Sequence, residues 1–126
     1  REDTSGEFQK SLEAAQKILS ENSDIVAIMC GNDQMAVAAK TALNLAGNDQ
    51  TVVYSIDGSP DIKKELKKAD GQIAGTVAQS PVNIGKKAVD IALDILEGKD
   101  FEKETSVDVF MINKENVEMY GADGWQ

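Results

Sequence analysis

Three polar residues, Asn32, Asp57 and Gln79, each stand just past a short apolar run and just ahead of a segment with helical periodicity. An ionised carboxylate accepts from two hydroxyls at once, and each amide offers both donors and acceptors. Hydrogen bonds to the charged acceptor are the stronger kind. An amide, a carboxylate and a second amide therefore suit a neutral ligand rich in hydroxyls. An anionic ligand would call for arginine, and the only arginine is Arg1. Each residue also has a plainer use. Asn32 and Asp33 can cap the following helix, Asp57-Gly58 can form a turn, and Gln79 can sit in an exposed loop. The binding reading rests on three such groups at corresponding places, which is where pockets recruit a few convergent polar side chains.

Catalysis finds less support. Asp33 and Asp57 are the one carboxylate pair placed for glycosidase chemistry, and the chain has no histidine. No nucleophile constellation, metal-ligand spacing or glycine-rich phosphate loop is present, so neither catalytic residues nor a metal or cofactor is expected. The single cysteine, Cys30, ends the run Ile25-Val26-Ala27-Ile28-Met29 and reads as a small buried apolar residue.

The elements that must position the three residues alternate between helix and strand, the pattern of an α/β fold with a parallel sheet. Phe8, Leu12, Ala15, Ile18 and Leu19 recur at helical spacing between Ser5 and Ser20. The run Ile25 to Cys30 is apolar throughout, as a strand covered by helices on both faces should be. A helix through Met35, Ala36, Ala39, Leu43 and Leu45 is stopped by Gly47. The strand Thr51 to Ile56 precedes a helix from Asp61 to Ala69, with Ile62 and Leu66 inward and lysines outward. The strand Ile73 to Ala78 leads to Ser80, a good N-cap, and Pro81, at the first helical position where proline is tolerated best. That helix runs through Ile84, Ala88, Ile91, Ala92, Ile95 and Leu96 to Gly98. A further strand from Thr105 to Ile112 and a helical turn from about Asn113 to Tyr120 close the chain. In open α/β sheets ligands bind beyond the carboxyl ends of the strands, which places Asn32, Asp57 and Gln79 on one sheet edge.

A length of 126 residues allows one domain with a real core. Thirteen basic residues against 22 acidic ones give a net charge of −9, which argues against a nucleic-acid partner or an anionic membrane surface. An ordinary α/β domain begins with a strand, and this chain begins with a helix. Three core strands and a tail strand make a thin sheet. The sequence thus reads as a domain lacking its first strand–helix–strand unit, and the strand at residues 25–30 is expected to have an open hydrogen-bonding edge.

The stretches Asn32-Asp33-Gln34-Met35-Ala36, Ile56-Asp57-Gly58-Ser59-Pro60 and Thr76-Val77-Ala78-Gln79-Ser80-Pro81, followed by Gly85, resemble the C-terminal lobe of type I periplasmic sugar-binding proteins, the ribose-binding-protein group. The resemblance runs from about Leu12 to Asn116. It implies a three-layer α/β lobe, with residues 1–126 forming a partial C-terminal ligand-binding lobe and residues 105–126 including the last hinge crossing. It also implies that Asn32, Asp57 and Gln79 contact the hydroxyls of a monosaccharide or polyol, in a cleft shared with an N-terminal lobe of the same protein. The expected partner is the membrane permease of an ABC transporter, and the expected location is periplasmic or extracellular, with a lipid anchor where the source lacks a periplasm. Members of the group add an aromatic that stacks on the sugar. Phe8 is a faint candidate for it and reads better as core. The strongest rival is the effector-binding core of a lac-repressor-family regulator. A phosphoacceptor receiver domain fits less well, because Gln79 occupies the late strand end.

Overall fold

The computed structural model describes residues 1–69 and 71–126. The elements are α1 (Phe8–Glu21), β1 (Ala27–Met29), α2 (Asp33–Leu45), β2 (Val52–Asp57), α3 (Pro60–Leu66), β3 (Ile73–Ala78), α4 (Pro81–Leu96), β4 (Phe110–Asn113) and α5 (Val117–Tyr120). They form one four-stranded sheet in the order β1-β2-β3-β4. The first three strands are parallel and β4 is antiparallel to β3. β1 is therefore an edge strand.

The starts of α2, α3 and α4 have a local cause. The Asn32 side chain accepts from the Met35 N–H, that of Ser59 from Ile62 N–H, and that of Ser80 from Asn83 N–H, so three helices carry an N-cap bond. Pro60 and Pro81 occupy the first helical turn, where a missing N–H costs nothing. α2 and α4 each end two residues before the glycine that the sequence marks, Gly47 and Gly98.

The core lies between the sheet and α2. Val53 of β2, Ile73 and Ala78 of β3, Ile112 of β4 and Ile62 and Leu66 of α3 are buried together with Ala36, Ala39, Ala42 and Leu43 of α2. α2 buries residues around most of its circumference, because α1 packs on its far side through Ala15 and Leu12. Alanines dominate that buried surface and let the helix axes and the sheet approach closely. α2 and α3 pack in the same core on one face of the sheet, as crossovers of one hand running the same way along a parallel sheet require. The alternation along β2 follows, with Val53 and Ser55 buried on that face and Val52 and Ile56 more than a third exposed on the other.

Three expectations need correction. The strand at 25–30 shrinks to three residues and is not covered on both faces, since Val26 and Met29 are each 77% exposed. Its apolar run is that of a strand whose neighbours are incomplete. The tail strand is only Phe110–Asn113, because Phe110 already pairs with the last residue of β3, Ala78, and earlier residues face no strand. Among the lysines of α3, Lys63 does not point outward. It is fully buried, with Nζ donating to Gly124 O at 2.5 Å and to Gln126 Oε1 at 3.1 Å. Those two acceptors repay part of its desolvation, and burial still draws its pKa below the usual lysine value.

Cys30 is buried at the end of β1, and desolvation pushes its thiol up to about 11. α4 has the spacing of an amphipathic helix yet buries no residue. Ile84, Val89, Leu93, Ile95 and Leu96 are all at least 42% exposed. A 16-residue helix without tertiary packing is marginal in water. In the 126-residue chain on its own, α4 amides should therefore exchange with solvent at least about a hundredfold faster than those of α2. Equal protection, measured by hydrogen exchange, would mean that something covers the α4 face.

Candidate functional site

Asn32, Asp57 and Gln79 lie past the carboxyl ends of β1, β2 and β3, and all three are half-buried. Asp57 is the last residue of β2, and its backbone carbonyl accepts from the Gln79 N–H at 3.0 Å. That bond continues the β2–β3 ladder one step and sets the two side chains beside each other. Gln79 Nε2 then donates to Asp57 Oδ1 at 3.1 Å. The other carboxylate oxygen of Asp57 accepts from the Asp33 N–H at 3.4 Å. Asp57 has φ of +133°, a region L-residues seldom enter, so its backbone is held there by its surroundings.

Gly58 follows with φ of +77°. A Cβ there would lie 2.6 Å from the Ala78 Cβ and 2.7 Å from Gln126 Nε2, so no larger residue fits this turn. Burial raises the pKa of Asp57 above the ordinary aspartate value, and the nearby charge of Asp33 adds to the rise. The bonds from the Asp33 N–H and the Gln79 amide pull the other way.

Asn32 serves as the cap that its sequence position also allows. Its Oδ1 accepts from the Met35 N–H at 2.8 Å, and its Nδ2 donates to Gly6 O at 3.3 Å. A carboxamide has two donor hydrogens and two acceptor lone pairs, so these bonds use half of its capacity. Asn32 and Asp57 line one open concavity of about 790 Å³, together with Phe8, Ser59 and Lys64. Asp57 and Gln79 line a second, of about 620 Å³, together with Pro81, Val82, Ile84 and Trp125. Asp57 is thus common to both, and Asn32 and Gln79 flank it. Phe8, expected in the core, is instead half-buried on the wall of the first concavity. The α1 periodicity that suggested burial faces inward only from Ser11 onward.

The residue beneath the site is Asp33. It is only 4% exposed. Its Oδ1 accepts from Ser55 Oγ at 2.5 Å and from Thr76 Oγ1 at 2.8 Å, and its Oδ2 from the Ser59 N–H at 2.6 Å. The Thr76 hydroxyl in turn accepts from the Gly58 N–H at 3.1 Å. Position at the start of α2 adds the favourable end of the helix dipole. These bonds turn the Asp33 carboxylate inward, to β2, β3 and the start of α3, beneath the concavities that Asp57 lines. Among the described residues, no group of three or more metal-ligating side chains is assembled.

Sequence reading placed Asp33 as a cap or as half of a catalytic pair. It missed the tie to Ser55 and Thr76, whose only sequence signal is a hydroxyl residue inside each of two mainly apolar strands. It also missed Trp125, the one tryptophan of the chain, which no motif marks. Replacing Asp33 by Ala leaves two hydroxyls and an N–H without their acceptor, and should lower unfolding stability by on the order of 3 kcal/mol. Denaturant titration tests this. A loss under about 1 kcal/mol, the worth of one ordinary hydrogen bond, would show that the network is not what fixes the site.

Comparison with known proteins follows the same lines. Residues 2–100 match the family model described as periplasmic binding protein domain. The ribose import binding protein of Salmonella typhimurium LT2 is 37% identical over 106 residues, covering 84% of this chain and 35% of that protein. The D-allose-binding periplasmic protein of Escherichia coli K12 is 36% identical over 86 residues, 68% of this chain and 27% of that protein. Among solved structures, a periplasmic solute-binding protein of an ABC transporter from Actinobacillus succinogenes, with bound D-allose, superposes with a TM-score of 0.88 at 27% identity. It covers 94% of this chain and 42% of its own. A solute-binding protein from Bacillus halodurans with bound myo-inositol gives a TM-score of 0.84 at 28% identity, covering 93% and 40%. The chain spans about a third of the length of the curated relatives it matches.

Proposed function

Because the chain belongs to the periplasmic binding protein family, we propose that it forms one wall of the ligand cleft in the substrate-binding component of a sugar ABC transporter. The observation that carries this is the Asp57–Gln79 pair. A carboxylate and an amide are bonded to each other at the ends of two parallel strands, and both face a concavity whose other walls are apolar. Such a pair satisfies adjacent hydroxyls of a monosaccharide or related polyol and offers nothing to an anion. Asn32 contributes its remaining donor and acceptor from the other side of Asp57. Relatives named for ribose and allose, and structures holding D-allose or myo-inositol, support the same ligand class. Relatives named as import and solute-binding proteins also favour transport over the effector core of a lac-repressor-family regulator, and a non-catalytic role over an enzyme.

The rest of the site comes, in this reading, from an N-terminal lobe of the same protein. Residues 1–126 are then a partial C-terminal lobe, with the last hinge crossing within 105–126. Three unpartnered surfaces fit it: the edge of β1, the exposed face of β2 and β4 around Val52, Ile56 and Met111, and the apolar stripe of α4. Ligand entering between the lobes closes them by hinge rotation, and the closed form docks on a membrane permease. Such a protein works in the periplasm or outside the cell, with a lipid tether where no periplasm exists. No nucleic acid is involved, in keeping with the net charge of −9.

Calorimetry of the protein at its full natural length, against pentoses, hexoses and polyols, should find a ligand. Asp57→Ala should then weaken binding at least about a hundredfold, the scale of a charge-assisted bond lost from a buried site, without unfolding the protein. Acidification gives a second reading. Binding needs Asp57 as an ionised acceptor, and its pKa is raised, so affinity should fall with pH at a midpoint above the ordinary aspartate value of about 3.9. Undiminished affinity in Asp57→Ala, or a panel with no ligand in it, sinks the reading.

A further inference from the structure

Residues 121–126 turn back from α5 to the sheet edge that carries the site, and each side of Trp125 is tied down. Lys63 Nζ donates to Gly124 O at 2.5 Å and to Gln126 Oε1 at 3.1 Å. Ser80 Oγ donates to Gln126 O at 2.6 Å. Gln126 Nε2 donates to Gln79 O at 2.8 Å, which joins the tail directly to a residue of the candidate site. A fully buried lysine committed to two acceptors on the tail is an expensive anchor for a segment with no other task.

What this anchorage positions is an indole that is not packed away. Trp125 remains 49% exposed and lines the concavity of about 620 Å³ that holds Asp57 and Gln79. The polar groups of that concavity are Asp57 and Gln79, and its other walls are Pro81, Val82, Ile84 and Trp125. A sugar or cyclic polyol has the matching division, with hydroxyls around its rim and a C–H face. Aromatic rings are the side chains that cover such a face with large, rigid, low-entropy area. The other aromatic near the site, Phe8, lies in the concavity on the Asn32 side, among Asp61, Lys64 and Glu65. Charged side chains there leave a poorer surface for a C–H face.

We propose that Trp125 is a specificity-determining residue, its indole stacking on the C–H face of the ligand whose hydroxyls Asp57 and Gln79 hold. The Lys63, Ser80 and Gln79 contacts to the tail fix the ring in advance, so that little ordering remains for the ligand to drive. This inference rests on the sugar-binding reading and adds to it a residue and a binding geometry.

The test uses the protein at its full natural length with D-ribose, D-allose and myo-inositol, by calorimetry and by tryptophan fluorescence. Trp125→Ala should weaken the best of these by about tenfold or more, with an unchanged thermal melt, and Trp125→Phe should recover most of that loss. Ligand should change the tryptophan emission of the parent, and Trp125→Phe should remove the part of that change that Trp125 contributes. That second readout needs only the conservative variant, and stands if Trp125→Ala fails to fold. Parent-like affinity in Trp125→Ala, or an emission change of the parent's full size in Trp125→Phe, overturns the role of Trp125 and leaves the sugar reading in place. If the parent binds none of the three sugars but binds another ligand in the wider panel, the same variants are read with that ligand. If it binds nothing, the sugar reading falls and this inference with it.

Discussion

The buried carboxylate of Asp33 draws together the elements on which everything else at this edge of the sheet depends. It sits at the first residue of α2 and takes hydroxyl bonds from Ser55 on β2 and Thr76 on β3 and an amide bond from Ser59 at the start of α3. Burying a charge is costly unless it is fully satisfied. Here three donors and a helix N-terminus meet it, and among the described residues no buried side-chain polar atom lacks a partner. The consequence is mechanical as well as energetic. Two strands and two helix starts cannot move independently while one carboxylate serves them all.

That constraint explains the odd backbone of Asp57. Its carbonyl belongs to the β2–β3 ladder, and its carboxylate takes the Asp33 N–H and the Gln79 amide. The Gly58 N–H is held by Thr76, itself bonded to Asp33. A residue fixed on all these sides can be kept at φ of +133°, and the carboxylate gains a single direction, outward from the strand end. Strain at a residue that lines an open concavity, supported by a satisfied network below it, is how a preorganised polar contact is built. The tail completes the arrangement from the opposite side, with Lys63 and Ser80 holding residues 124–126 against Gln79.

The surfaces away from this edge look different. β1 has an open side, β2 shows Val52 and Ile56, and α4 presents its apolar residues to solvent. In a folded chain such faces are normally covered, and the chain spans about a third of the length of its curated relatives; under the two-lobe proposal the other lobe covers them. The same proposal accounts for Asp57, Asn32 and Gln79 lining open concavities instead of a closed pocket, since a cleft needs two walls.

Much of this was legible in the residues alone. Alternating periodicities placed the helices and strands in their observed order, with β1 shorter than expected and the tail strand starting five positions later, and β3 was read to its exact ends, because apolar spacing and capping residues act within one or two turns of chain. The order Asn32, Asp57, Gln79 at successive strand ends marked the candidate site for the same reason. Partners distant in sequence were not legible. Asp33 meets Thr76 across 43 positions and Lys63 meets Gln126 across 63, and nothing local to a lysine among lysines says which one turns inward. Nor did the apolar pattern of α4 or of residues 25–30 reveal that the faces would stay open, since periodicity encodes which side wants burial and not whether a neighbour is present. Sequence determined the elements and the polar residues at their ends. Only the tertiary structure decided which carboxylate is buried to hold the edge together, which one lines the open concavities, and which aromatic stands beside it, because those choices depend on chain segments that meet through space.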